Sequence, residues 1–287
     1  MPRLLQPAFA AFLLTPPLLL SAAPRAAAQE EPITLADDPF EITDPIAAPP
    51  GEAELAVVGS YARSRRGRVR NTAGIDTELE VGVARRLSLR FGQIGDYGNL
   101  DVRRRLGFAT DRTGAADDGS QGPNWGGATV LGALYQLAEE HGAVPAAAFQ
   151  GRARMIYGPG RPAYEADLAA LFGKTFARDG GLQLGVNLNL GWVARIDPLP
   201  SERPNRVFVN ASIGQAVRHD TALVATYARE QQERGQRDFS LVQVGIRHRL
   251  PNGRTVLGLA GGVGTNRDSP RFELAFALQW AFGVGGR

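Results

Sequence analysis

Residues 182–192 read LQLGVNLNLGW. Successive side chains of an extended chain alternate faces, so Leu182, Leu184, Val186, Leu188, Leu190 and Trp192 share one side while Gln183, Gly185, Asn187, Asn189 and Gly191 share the other. The last such segment repeats the pattern, with Phe272, Leu274, Phe276, Leu278, Trp280 and Phe282 opposed by Glu273, Ala275, Ala277, Gln279 and Ala281. A water-soluble sandwich also alternates, but it buries its apolar rows against a second sheet and seldom needs them this long. Rows of this length predict strands whose apolar side meets hydrocarbon and whose polar side encloses an interior.

Working outward from residue 182, twelve segments of period two can be marked, at 52–63, 74–84, 86–94, 127–138, 143–157, 163–176, 181–194, 205–217, 220–229, 239–250, 253–264 and 271–282. Their connections alternate in character. Short turns stand at Arg85-Arg86, Glu139 to Gly142, Arg178 to Gly180, Arg218 to Asp220 and Pro251-Asn252. Longer polar connections stand at Ser64 to Ala73, Ile94 to Gly126, Gly158 to Pro162, Arg195 to Pro204, Glu230 to Asp238 and Thr265 to Pro270. The expected fold is all-β, an antiparallel transmembrane β-barrel of about twelve strands with tight turns on the periplasmic side and long loops outside. An even strand count then puts both termini in the periplasm.

The N-terminal residues agree with that destination. Arg3 is followed by an apolar run from Ala8 to Leu20 and by Ala26, Ala27 and Ala28 ahead of Gln29, which predicts a cleaved secretory signal over 1–28. Pro16 and Pro17 interrupt the run, and it falls short of the roughly twenty residues a spanning helix requires. No later segment approaches eighteen consecutive apolar residues, whereas a spanning strand needs only about nine to eleven. Residues 29–51, with Asp37, Asp38, Glu41, Asp44 and prolines at 32, 39, 45, 49 and 50, cannot bury enough apolar surface for a core and read as an acidic, Pro-rich periplasmic arm. The barrel is expected over 52–282, with 283–287 as a C-terminal tail.

Composition removes several function classes. Of 32 Lys+Arg, Arg3 and Arg25 lie in the signal, leaving 30 against 29 Asp+Glu, too even a balance to suggest nucleic acid as a partner. Cysteine is absent, so disulfides and thiolate metal sites are unavailable. The histidines, His141, His219 and His248, have neither triad nor metal spacing, and Ser240 stands about eight residues from His248 on one strand, too far at roughly 3.4 Å per residue. No catalytic residue, metal or cofactor is expected. The Gly-rich stretch 258–264 lacks a following helix on which a phosphate could sit and reads as close strand packing.

The aromatics test the orientation, because amphipathic rings favour the membrane interface. Tyr61, Tyr157, Tyr164, Trp192 and Tyr227 fall at strand ends beside the long loops, while Phe176, Trp280 and Phe282 fall at the opposite rim. Register is testable at one hairpin, where a turn at Arg85-Arg86 pairs Val83 with Leu87, Val81 with Leu89 and Leu79 with Phe91 outside, and sets Glu80 across from Arg90 inside.

The inner face carries the most specific clue. Arg152 and Arg154 should stand beside Glu165 and Asp167, and with Glu78, Glu80, Arg90, Asn187, Asn189, Arg247 and Glu273 they make a mixed-charge lumen. Such side chains can brace the interior by pairing or line a constriction that selects polar solutes, and the two roles are compatible. Arg63, Arg65, Arg66, Arg68 and Arg70, and Arg103, Arg104 and Arg105, sit in two outer loops, where they are either solvated or set against lipopolysaccharide phosphates.

The passages ITDPIAAPPGEAELAVVGSY, ELEVGVARRLSLRFG, FSLVQVGIRHRLPNGRTVLGLAGGVG and FELAFALQWAFG resemble the outer-membrane family named for the MetA pathway of phenol degradation, often called transporters. The likeness spans most of 42–283 and consists of strand patterns without a catalytic signature. It implies a barrel of this size passing small or aromatic compounds. One departure is the ending, where Phe282 is followed by Gly-Val-Gly-Gly-Arg in place of a terminal aromatic, which displaces the signal read by the outer-membrane assembly machinery. The expected protein is therefore an outer-membrane channel for a small-molecule solute, in contact with outer-membrane lipid and lipopolysaccharide. The alternative is a structural or surface-interaction barrel with a closed lumen.

Overall fold

The structure is a computed structural model, and it describes residues 42–66, 69–98, 123–158, 162–177, 182–198, 202–234 and 236–284. The expected signal, most of the arm, Arg68, the Arg103–Arg105 run and the middle of the second long loop lie outside the described residues.

The described residues form twelve strands: β1 (Glu52–Arg63), β2 (Asn71–Ala84), β3 (Leu87–Gly98), β4 (Asn124–Ala138), β5 (Ala146–Tyr157), β6 (Ala163–Ala177), β7 (Gln183–Ile196), β8 (Asn205–Arg218), β9 (Thr221–Glu230), β10 (Phe239–Arg249), β11 (Thr255–Gly264) and β12 (Phe272–Gly283). Each pairs antiparallel with its sequence neighbours, and β1 pairs with β12, so the sheet closes into a barrel without a free edge. The strands run from 10 residues in β9 and β11 to 15 in β4 and β6.

Side-chain burial alternates as the sequence pattern requires, and it is inverted relative to a water-soluble barrel. In β7, Val186, Leu188, Leu190 and Trp192 are exposed while Asn187 and Asn189 are buried. In β12, Leu274, Phe276 and Trp280 are exposed while Glu273 and Gln279 are buried. Polar side chains on the outward face pair among themselves, as at Gln93, whose Oε1 accepts from Thr129 Oγ1 at 2.9 Å and whose Nε2 donates to Tyr157 Oη.

Most observed strand limits lie within a few residues of the expected ones, and the differences have local causes. β3 continues to Gly98 and β4 begins at Asn124, because Gly98, Asp96 and Gly95 stay in register with Asn124, Gly126 and Gly127. β5 begins at Ala146, since His141 and Val144 pair with each other to close a tight turn instead of extending the ladder. At the β2–β3 hairpin the pairs Leu79–Phe91, Glu80–Arg90 and Val81–Leu89 form as expected. Leu87, however, pairs with Ala84 and not with Val83, because a bulge between Gly82 and Ala84 absorbs one residue. Arg86 then takes a positive φ of 67° in the turn.

Residues 42–51 pack at the short-turn end of the barrel. Gly51 N donates to Gly82 O, Ala48 N donates to Glu80 Oε1 at 3.1 Å, and Ile42 and Ala47 are buried, Ala47 in a cluster with the inward-facing Leu134, Leu171 and Phe208. Two glycines accommodate this segment: a Cβ on Gly82 would collide with the Ala48 and Pro49 carbonyls, and one on Gly173 would press on the Pro45 ring.

Candidate functional site: the charged interior

The strand alternation points all eleven expected lumen residues inward, and register decides which of them meet. Glu80 stands directly across from Arg90, and the Arg90 guanidinium bridges two carboxylates one strand over, at 3.1 Å to Glu78 and 2.5 Å to Glu80. Glu80 also receives Ala48 N, so this group anchors the 42–51 segment to the wall.

Further toward the long loops, register places Arg152 across from Asp167 and Arg154 across from Glu165. Arg152 Nε lies 2.9 Å from Asp167 Oδ1, Arg154 Nη2 lies 2.8 Å from Asp167 Oδ2, and Arg154 Nη2 stands 3.8 Å from Glu165 Oε2. Two strands of one hairpin thus supply a four-membered zipper of alternating charge. Arg154, Glu165 and Asp167 each expose 1 % or less of their side chains, so their attraction is screened little by solvent.

Sequence reading missed the part of the network that completes this zipper. Glu165 Oε1 also accepts from Arg195 Nη2, at 2.8 Å, and from Arg206 Nη2. Arg195 Nη1 reaches Glu202 at 3.1 Å, and Glu233 lies 3.7 Å from Arg206 and 3.8 Å from Arg195. Arg206 has the same strand parity as Asn210 and Ser212, a signal that alternation alone contained. Arg195 falls one residue beyond the expected strand, and Glu202 and Glu233 are buried residues outside the strands, which no periodicity encodes.

The other expected residues stand elsewhere on the wall. Asn187 Nδ2 donates to Ser212 Oγ at 3.3 Å, and Asn189 faces Asn210 across β7 and β8. Arg247 Nη2 donates to Gln279 Oε1 at 2.6 Å, and Gln279 Nε2 donates to Glu54 Oε1 at 3.2 Å, a relay across β10, β12 and β1. Glu273 is buried on β12. The expected interface aromatics occupy strand ends: Tyr164, Trp192, Tyr227 and Trp280 are exposed, while Tyr61, Tyr157 and Phe282 are partly covered. Trp280 and Phe282 stack with ring centroids 4.8 Å apart.

His248 Nδ1 lies 3.0 Å from Thr221 Oγ1, whereas Ser240 is bonded to Tyr227 and Thr265 near the other end of β10. Among the described residues no group of His, Cys, Asp or Glu is arranged to hold a metal ion.

No family model matches the chain, and no curated protein matches it in sequence. Among solved structures it is similar to the COG4313 outer membrane channel from Pseudomonas putida F1, with a TM-score of 0.53 at 15% identity, covering 83% of this chain and 98% of that one. It also matches the KdgM porin, with a TM-score of 0.47 at 7% identity, covering 80% and 99% of the two chains. The first likeness supports the barrel architecture.

Proposed function

We propose that this protein is an outer-membrane barrel that passes small polar solutes through a lumen held narrow by its own ion pairs and by residues 42–51. The carrying observation is the file of charged side chains along the interior, from Glu78, Glu80 and Arg90 through Arg152, Asp167, Arg154 and Glu165 to Arg195 and Arg206. Buried ion pairs seldom improve stability over well-packed apolar side chains of the same volume, so bracing alone does not account for a file this long. Ionisable groups at membrane depth characteristically mark a route for water, ions or solute.

The outward apolar face, the closure without edges and the strand lengths suit a bilayer, where backbone groups must be satisfied within the sheet. The barrel of similar architecture is described as an outer membrane channel, which agrees with this reading. Tight turns and both termini would then face the periplasm. The resemblance noted for the sequence extends the solute class to small aromatic compounds, and the outward aromatics and arginines support outer-membrane lipid and lipopolysaccharide as its contacts.

Close packing of the interior favours a second reading, a structural barrel with a permanently shut lumen, because the charged groups expose so little surface. Planar-bilayer recordings of the refolded full chain, beside a variant lacking residues 42–50, separate the two. Steady current that grows several-fold in the shortened variant supports the channel. Silence from both proteins, inserted and folded, establishes the closed barrel instead.

A further inference from the structure

The long-loop rim where β1, β2 and β12 meet carries a feature that solute passage does not use. Arg63 ends β1, and its carbonyl accepts the Arg271 backbone N–H at 2.6 Å, which fixes the two residues side by side. Arg65 Nη2 donates to Gly264 O at 2.7 Å, holding a third guanidinium over the end of β11. Arg66 follows, and all four residues are exposed. Among the described residues the neighbouring carboxylates are already engaged: Asp268 accepts Arg237 N at 3.1 Å and stands 3.6 Å from Arg267, and Asp238 pairs with Arg229 at 2.8 Å. The described residues of this rim therefore form a strip of positive charge from β1 across β12 to the end of β11.

Directly below it the wall is aromatic and apolar. Tyr61 and Phe272 pack with ring centroids 5.9 Å apart, Tyr97 and Trp125 with centroids 4.5 Å apart, and Leu274 and Phe276 project outward beneath them. Between Tyr61 and Tyr97 lies a largely apolar recess of about 330 Å³, bounded by Val69, Arg70, Asn71, Ala73, Gly98 and Pro123. Guanidinium forks bind phosphate oxygens in pairs, and amphipathic rings mark the level where head groups give way to acyl chains.

We propose that this surface binds a phosphorylated glycolipid of the outer leaflet, with its phosphates on Arg63, Arg65, Arg66 and Arg271 and an acyl segment in the recess between Tyr61 and Tyr97. A head group carrying two phosphates offers partners to more than one of these guanidinium groups, whereas a glycerophospholipid offers a single phosphate. The inference rests on the outer-membrane reading and deepens it by assigning the lipid a site and the residues that hold it.

Native mass spectrometry of the refolded full chain in detergent tests it, with lipid A, lipid A stripped of both phosphates, phosphatidylglycerol and inorganic phosphate as separate probes. Lipid A should be retained at least tenfold better than the dephosphorylated form and than phosphatidylglycerol, with inorganic phosphate competing only weakly. The combined Arg63→Gln, Arg66→Gln and Arg271→Gln variant should lose that preference while keeping heat-modifiable mobility in gels. If the combined variant does not fold, Arg66→Glu alone should weaken lipid A retention several-fold. Ala73→Phe, which fills the recess, should reduce lipid A binding without altering competition by phosphate. Equal retention of the two forms of lipid A, equal retention of phosphatidylglycerol, or undiminished binding by the arginine variants overturns the proposal. Failure of the membrane reading has a different signature, namely a monodisperse, folded protein in buffer without detergent.

Discussion

Gly82 lies beneath the carbonyl of Pro49, with no room between them for a side chain. The contact locates residues 42–51 inside the short-turn mouth and offers a way to move them without shortening the chain. Gly82→Val would place a branched side chain where the Ala48 and Pro49 backbone now runs, and backbone cannot step aside as a flexible side chain can. Single-channel conductance should rise several-fold over that of the unaltered protein, and Gly173→Val, acting on Pro45, should shift it in the same direction. Unchanged conductance in both variants would show that the segment does not limit flow.

Arg154 binds Asp167 at 2.8 Å and stands 3.8 Å from Glu165, all three nearly inaccessible. Removing one partner from such a group leaves buried charge uncompensated, at a cost of about 3–5 kcal/mol. Arg154→Ala should therefore lower the urea midpoint of unfolding in detergent. Glu165→Gln combined with Asp167→Asn should recover part of the loss in the Arg154→Ala background, since the stranded charges are then gone. A single variant as stable as the parent would mean that water reaches this zipper freely.

Carboxylates outnumber arginines along the inner wall. Among the described residues away from strand termini, Glu54, Asp76, Glu78, Glu80, Asp96, Glu165, Asp167 and Glu273 project inward against Arg90, Arg152, Arg154, Arg195, Arg206 and Arg247. Rings of one charge sign set ion selectivity in pores. The reversal potential in a potassium chloride gradient should consequently show cation preference, and Glu78→Gln with Glu80→Gln should weaken it. Preference for chloride would contradict the assignment of these groups to the conducting path.

Alternation made the barrel legible, because facing is a local property: Leu184 to Trp192 or Phe272 to Phe282 declare their sides without reference to any other strand. Pairing added a second check at Glu80 and Arg90, where charge and apolar register agree on one alignment. That Arg152 and Arg154 stand beside Glu165 and Asp167 was legible from the same alternation on adjacent strands, while register alone decided that Arg152 meets Asp167 and Arg154 meets Glu165. What stayed hidden depends on contacts distant in sequence. Glu202 and Glu233 enter the interior from loops, and the 42–51 segment reads as polar and Pro-rich whether it hangs free or lies on Gly82 and Gly173. The Gly82–Ala84 bulge was hidden too, because the apolar pattern tolerates Leu87 opposite either Val83 or Ala84.

The turns at the short end are joined by Arg86 and Glu139, and their pH response follows from that geometry. Arg86 donates to Glu139 Oε1 from Nε at 3.1 Å and from Nη2 at 2.9 Å, while Arg85 stands 3.6 Å away. The hydrogen bond from Arg86 and its charge hold the Glu139 carboxyl below the ordinary value of 4.5. A carboxylate with a depressed pKa contributes its stabilisation above the unfolded value and loses it as pH falls through the folded one, so the contribution is fully present at neutral pH and is lost only on the acid side of 4.5. Because Glu139 is exposed, salt should screen the shift. Carbon-detected NMR of the Glu139 carboxyl should give a midpoint below 4.5 at low ionic strength, rising toward it in high salt. Arg86→Gly keeps the turn, since glycine accepts the positive φ of 67° readily, and should return the midpoint to the ordinary range. A midpoint at or above 4.5 in the unaltered protein would show that the two turns are not held together in solution.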